Sequence, residues 1–303
     1  MRCQYYTRCG AIGTAEMYVD DSYGGKGSHY KFLRADVVRF IQRATQYIER
    51  PAATPPKMMP LFSALQSIRH IVRGGTVLVM GSQEPWYEAV VLAYGAKQVV
   101  TLEYNNLTYA HEQLLTTTPD RFHAALEAGR ARESGAGDDV EAEYSGPVQF
   151  DVVLAIACVD HDGLGRYGDP IAPDGDLLTM DRIQAYIKPP HVRQADYAAR
   201  QEEAGKEVSA GKRVSGGVLV MSAPIGPDLV VWNLERRYGT VRLPLLLEGW
   251  ELKGRYGWNE AKLTAEASYR MRFEPVFVLS PESHKVPAAE DASESHSTAR
   301  DEL

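Results

Sequence analysis

Thr76–Met80 and residues 98–104 are continuous apolar runs of β-favouring side chains, and between them lies a helical stretch over 84–94 that ends at Gly95. This pattern constrains the fold more than any other feature of the chain. Strands that read as unbroken apolar runs are buried on both faces, as in a parallel sheet covered by helices. A strand, helix, strand unit of about 30 residues with short loops is the first half of a doubly wound sheet. Residues 150–159 and 217–222 add a third and a fourth strand, and 250–258 and 276–279 two terminal ones. The reading is α/β: a Rossmann-like, mostly parallel sheet in a single domain.

The flanking pieces follow from local chemistry. Residues 32–48 repeat apolar side chains at helical spacing and predict a packing helix. Four prolines over 51–60 make a linker before a second helical piece, 61–72. Residues 105–126 and 230–238 read as helices, as does 176–187, with Asp174 or Asp176 as N-cap and Pro189-Pro190 as the stop. Residues 127–147 and 191–213 read as surface segments. The first 30 residues form an irregular lead-in; its Gly24-Gly25-Lys26-Gly27 lacks the preceding strand that a phosphate loop needs. The last 22 residues are polar and acidic and predict a disordered tail. The expected divisions are 1–72, 73–281 and 282–303.

Charge and cysteine content exclude several classes. The 303 residues carry a formal charge of −7, but residues 282–303 hold six acids and two bases, and 116–147 seven acids and three bases. The remaining 27 acids and 28 bases nearly cancel, so the net charge does not describe the binding crevice; a nucleic-acid partner is not expected. Cys3, Cys9 and Cys158 fit neither a disulfide framework nor a zinc signature. The longest apolar run, 152–159, is far short of the roughly 20 residues that span a bilayer. The start of the chain has no apolar signal-peptide stretch. A soluble, cytoplasmic protein is therefore expected. Arg300-Asp301-Glu302-Leu303 resembles a retrieval signal of the endoplasmic reticulum, which implies the lumen if the N-terminus is incomplete.

In doubly wound sheets ligands bind outside the carboxyl ends of the strands. Segments 81–86, 103–106, 160–176 and 223–228 should therefore line one crevice. Glu103, at the end of the second strand, stands where a carboxylate accepts hydrogen bonds from ribose hydroxyls, or else is a solvated strand end. Gly81-Ser82-Gln83-Glu84-Pro85-Trp86 is bulky and acidic and would repel a pyrophosphate, which disfavours NAD and ATP. Residues 160–176 gather Asp160, His161, Asp162, Arg166, Tyr167, Asp169, Asp174 and Asp176. A carboxylate-flanked His161 can act as general base. Asp160, Asp162 and Asp169 with His161 could instead hold a hard divalent metal, or the aspartates could cap turns and helices with Arg166 paired to one of them. Trp232, Asn233, Arg236, Arg237 and Tyr238 after the fourth strand could form a second wall, or else be the packing and solvated faces of a short helix.

His161-Asp162-Gly163-Leu164-Gly165-Arg166-Tyr167-Gly168-Asp169-Pro170, with Pro173-Asp174-Gly175-Asp176-Leu177, Val231-Trp232-Asn233, Arg237-Tyr238-Gly239 and Arg242-Leu243-Pro244, resembles an uncharacterised domain family first named from nematode (Caenorhabditis) proteins. That family resembles class I S-adenosylmethionine-dependent methyltransferases. The resemblance implies a seven-stranded sheet and S-adenosylmethionine as cofactor. It places Gly81 with Ser82 at the methionine part, Glu103 at the ribose, and Asp160, His161 and Asp162 at the methyl acceptor. Arg166, Tyr167, Asp169, Trp232 and Asn233 would bind that acceptor, a small molecule or glycan. Gly81 stands alone where such loops carry two or three glycines. That departure frames the rival reading, a silent binding module that has lost its cofactor loop; a metal-dependent enzyme built on the aspartate loop is the third.

Overall fold

A computed structural model describes residues 6–21, 29–133, 143–189, 216–265 and 272–282. The expectations for Tyr23–Ser28, for 191–213 and for the tail beyond Glu282 fall outside these residues, as does much of 127–147.

In chain order the strands are β1 (Gly13–Met17), β2 (His29–Phe32), β3 (Thr76–Met80), β4 (Gln98–Leu102), β5 (Asn106–Tyr109) and β6 (Leu114–Thr117). They continue with β7 (Val152–Ile156), β8 (Val218–Ser222), β9 (Leu229–Asn233), β10 (Glu235–Arg237), β11 (Trp250–Tyr256) and β12 (Val276–Pro281). Seven of them form one sheet in the order β11-β12-β8-β7-β3-β4-β6. β12 runs antiparallel to both neighbours, and the other pairings are parallel. The chain winds outward from β3 through β4 to β6, then returns to the far side of β3 as β7. Strand order therefore reverses between β3 and β7, and the crevice at their carboxyl ends is where such a sheet binds ligands.

Successive side chains of a strand point to opposite faces, and the apolar runs divide accordingly. Val77, Val79, Val99, Val152 and Leu154 pack under the helices Arg34–Glu49, Met59–Ser67, Arg69–Val72 and Trp86–Ala93. Leu78, Val100, Val153 and Leu219 pack against Phe122, Met180, Ile183 and Leu246 from the helices Pro119–Glu133, Gly175–Tyr186 and Arg242–Leu246. Each fully buried side chain of this size contributes about 1.5–3 kcal/mol, so two-sided burial is what makes these strands the most legible part of the chain.

Three expectations are corrected. Residues 230–238 are not a helix but the antiparallel pair β9–β10, to which β1 adds in parallel as a three-stranded sheet. The β-branched Val230-Val231 favour strand, and Glu235, Arg236 and Arg237 are buried. The lead-in is consequently not wholly irregular: Gly13 pairs with Leu229 and Met17 with Asn233. Residues 105–126 are helical only from Pro119; β5 and β6 precede it, and proline suits the first helical position because its missing N–H is unpaired there anyway.

Candidate active site

A cavity of about 400 Å³ opens at the carboxyl ends of β3, β4 and β7, within the range of about 300–1,000 Å³ usual for small-ligand pockets. Gly81, Gln83, Glu103 and Tyr104 form one side of it, and Ala157, Cys158, His161 and Asp162 the other. Asp21, Arg166 and Tyr167 complete its rim. A smaller recess of about 80 Å³ shares Gly81, Glu103, Tyr104, Cys158 and Asp162 and reaches His123, Arg182 and Tyr186. Trp86 does not fill this space. Its ring packs on Phe40 and Tyr47, with the Arg43 guanidinium 5.6 Å from its centre, under the opposite face of the sheet.

Gly81 ends β3 with φ +69°, and an added Cβ would lie 3.1 Å from Cys158 Sγ. Strain of the left-handed conformation alone costs roughly 1–2 kcal/mol. Gly81→Ala is accordingly expected to lower the denaturation midpoint; an unchanged urea midpoint would show that the turn tolerates a side chain. The next residue looks inward: Ser82 Oγ donates either to Glu84 O, 2.8 Å away, or to Glu88 Oε2, 3.1 Å away. Thr101 Oγ1 donates to the other Glu88 oxygen at 2.7 Å. Burial pushes the fully enclosed Glu88 carboxyl up to about 7. Ser82 thus belongs to a hydrogen-bonded floor beneath the cavity, whose wall takes Gln83 instead.

Glu103 keeps its place at the end of β4. It is 7% exposed, and its Oε1 accepts from the backbone N–H and the side-chain amide of Asn105 at 3.1 and 2.9 Å. Burial raises its pKa against those bonds. Beside it the Tyr104 ring is half exposed.

Opposite, residues 157–176 form a folded loop whose carboxylates divide by task. Asp169 accepts three backbone N–H groups, from Gly163 and Gly165 on Oδ2 and from Tyr167 on Oδ1. A Cβ on Gly163 would meet Ala172 O at 2.2 Å, so the loop closes there only on glycine. Asp176 accepts from Arg242 Nε at 2.8 Å and Nη2 at 2.5 Å and from Tyr238 OH at 2.9 Å, with Arg236 Nε 3.6 Å away. Burial opposes ionisation of Asp176, but Arg242, Arg236 and Tyr238 outweigh it and hold the carboxyl below its usual range. Of the aspartates in the metal reading, Asp169 is spent on backbone amides. No group of three or more metal-binding side chains occurs among the described residues.

Three groups remain for chemistry. His161 Nδ1 lies 2.5 Å from Leu234 O, which can only accept, so Nδ1 carries the hydrogen. Nε2 faces Asp160 Oδ2 at 3.5 Å. Burial lowers the His161 pKa to about 4, leaving a neutral imidazole and a weak base at neutral pH. Asp160 is fully buried, its Oδ2 accepts from Arg272 Nη2 at 3.3 Å, and it does not line the cavity. Asp162 lines both cavity and recess, and burial brings its carboxyl up to about 7. Arg166 Nε donates to Asp21 Oδ2 at 2.7 Å, and its guanidinium lies 5.0 Å from the centre of the Tyr167 ring.

Trp232 and Asn233 are not walls of this cavity. Asn233 Oδ1 accepts from Val19 N–H at 2.8 Å, and the Trp232 ring meets Tyr6 edge-on at 5.3 Å. Asp228, in the loop after β8, accepts from the backbone of Gly239, Val241 and Arg242. Sequence reasoning missed Asp21, Cys158 and Arg182, and placed Tyr104 on the crevice only as part of segment 103–106. Tyr104 and Cys158 flank strand ends that were legible, whereas Asp21 reaches the site only through a contact with a loop 145 residues away.

The family described as "Caenorhabditis protein of unknown function, DUF268" matches residues 74–194 and 205–277. The chain belongs to that family. The match contains six of the seven strands of the main sheet and the first two residues of β12, and both walls of the cavity apart from Asp21. No curated protein matches the chain. Among solved structures, a Burkholderia thailandensis 1,6-didemethyltoxoflavin-N1-methyltransferase is similar over 82% of this chain and 88% of its own, at 16% identity and a TM-score of 0.40. An S-adenosylmethionine-dependent methyltransferase from Mesorhizobium loti is similar over 73% and 97%, at 10% identity and a TM-score of 0.36. Likeness at that level assigns neither an activity nor a cofactor to this family member. Its sheet order and single antiparallel strand, read from its own pairings, are those of a class I methyltransferase-like fold. No helix among the described residues is long and apolar enough to cross a membrane.

Proposed function

We propose that the protein is a methyltransferase-like enzyme that binds S-adenosylmethionine in the cavity between Gly81 and Glu103 and methylates a small-molecule or glycan acceptor. The carrying observation is the open cavity at the point of strand reversal, with Glu103 on its wall and the Tyr104 ring beside it. Glu103 would take the ribose, and the backbone at Gly81 the methionine part. Three carboxyl groups and one guanidinium line the cavity, which favours a cationic cofactor centre over a polyphosphate. The cofactor supplies an electrophilic methyl group on a sulfonium.

The chain's own residues then orient the acceptor and take its proton. Asp162 is the better placed base, because its carboxyl titrates near neutrality at the cavity wall while His161 is a neutral ring held to Leu234. The experiment is calorimetry with S-adenosylmethionine and S-adenosylhomocysteine. Glu103→Ala is expected to abolish binding; unchanged affinity would remove the ribose site. Asp162→Asn is expected to keep binding and lower turnover at least a hundredfold, with the wild-type rate rising through pH 7. Should turnover instead follow His161→Ala and spare Asp162→Asn, the roles are reversed.

The rival reading, a silent binding module, draws on the closed floor in which Ser82 and Glu88 bond to each other beneath a single glycine. A ligand at 100 times its dissociation constant stabilises the native state by about 2.7 kcal/mol. Absence of any thermal shift with either compound would favour this reading.

A further inference from the structure

A second cavity, of about 640 Å³, lies against the three-stranded sheet. Its walls are mainly apolar: Trp232 and Tyr6 at the back, Met17 and Tyr18 on one rim, Ile171 on the other. Met17, Tyr18 and Ile171 are 44%, 75% and 49% exposed. Three of the protein's exposed large apolar side chains thus surround one hollow, which marks a binding groove rather than scattered surface. Glu16 is the single charged side chain on its wall.

The groove shares two chain segments with the candidate active site. Tyr18 borders the groove and Asp21 the cavity, and the segment between them is pinned: Val19 N–H donates to Asn233 Oδ1 and Asp21 N–H to Arg166 O. On the facing loop Tyr167 borders the cavity and Ile171 the groove. Three residues of chain span at most about 10 Å, so one ligand can cross the ridge with an end in each hollow. We infer that the groove holds the non-reacting part of the methyl acceptor, and that this part is an uncharged, flat aryl group. Flat rings match the aromatic back wall of Trp232 and Tyr6. The acidic cavity beside it, whose one guanidinium is tied to Asp21, disfavours an anionic acceptor.

The inference rests on the methyl-transfer reading of the neighbouring cavity, and the test separates the two. The probe is 2-naphthol, an uncharged fused aryl alcohol, titrated by calorimetry into wild type and into the Met17→Asp and Ile171→Asp variants, both at exposed positions. Each variant is expected to raise the dissociation constant at least tenfold while that for S-adenosylhomocysteine stays within twofold of wild type. No binding of 2-naphthol to wild type overturns the inference, as does equal binding to all three proteins. Groove-dependent binding of 2-naphthol without any binding of S-adenosylhomocysteine would sink methyl transfer and the acceptor assignment together, and leave an aryl-binding groove of another purpose.

Discussion

Asp176→Ala is expected to remove about 3–5 kcal/mol of stability, the cost of breaking a buried ion pair by deleting one partner. Asp176 and Arg236 are completely buried and Arg242 is 1% exposed, so no water replaces the lost carboxylate. Two guanidinium groups would be left facing each other across the space it occupied, and Tyr238 OH would lose its acceptor. Set against a typical total of about 5–15 kcal/mol, that loss takes a large share of the fold. The damage should spread to the site, because Arg236 also donates to Asp162 O and Arg242 to Pro173 O, and these bonds hold the loop that carries Asp162. Urea denaturation measures the effect, and a loss below about 1 kcal/mol would show that the arginines find other partners. Asp176→Asn should fall between wild type and alanine, since it keeps acceptor capacity but not charge.

Stability is expected to fall as pH rises from 5 to 8, the reverse of a protein dominated by ion-paired carboxylates. Glu88 and Asp160 are both completely buried, and burial brings each carboxyl up to about 7 from an ordinary value near 4. Between those values the folded chain holds protons that the unfolded chain has released. The stabilisation is therefore complete below the unfolded pKa and lost as pH climbs through the folded one, by about 1.4 kcal/mol per pH unit for each group. His161 acts in the opposite sense over a lower window: its pKa falls from 6.5 to about 4 on folding, so its contribution is present above 6.5 and lost toward 4. Asp162, which burial also brings up to about 7, acts in the same sense as Glu88 and Asp160, and three carboxyls outweigh one imidazole where the windows overlap. Glu88→Gln keeps the acceptor for Thr101 and should flatten the profile by roughly one group's slope. Parallel wild-type and variant profiles would mean that Glu88 is ionised inside the fold.

The sequence disclosed those elements whose side chains share one fate. In β3, β4, β7 and β8 every position is buried or nearly so, and an unbroken apolar run reports that directly. β9 and β10 were misread because their burial is not apolar. Arg236 and Arg237 are both buried, Arg236 beside an Asp176 60 residues away, and a local window sees only charge on a short segment. The candidate site shows the same division. Gly81, Glu103 and the loop 160–176 could be placed from strand ends alone. Local reading could not foresee which aspartates of that loop reach the cavity wall. Asp169 and Asp176 are taken by backbone amides and by arginines some 60 residues on, and only the fold shows Asp162 left at the cavity wall.

The parallel pairing of β1 with β9 joins Gly13 to Leu229. During synthesis the strand that bears Met17 must wait for 216 further residues before it has a partner, and the Asp21 that rims the cavity for the 145 that separate it from Arg166. Contacts so distant in sequence form late, since loop closure precedes any gain from pairing. A nascent or C-terminally truncated chain can therefore assemble β3, β4 and β7 while β1 still lacks its neighbour, and the segment Met17–Asp21 is pinned at both ends only when the last third of the polypeptide has emerged.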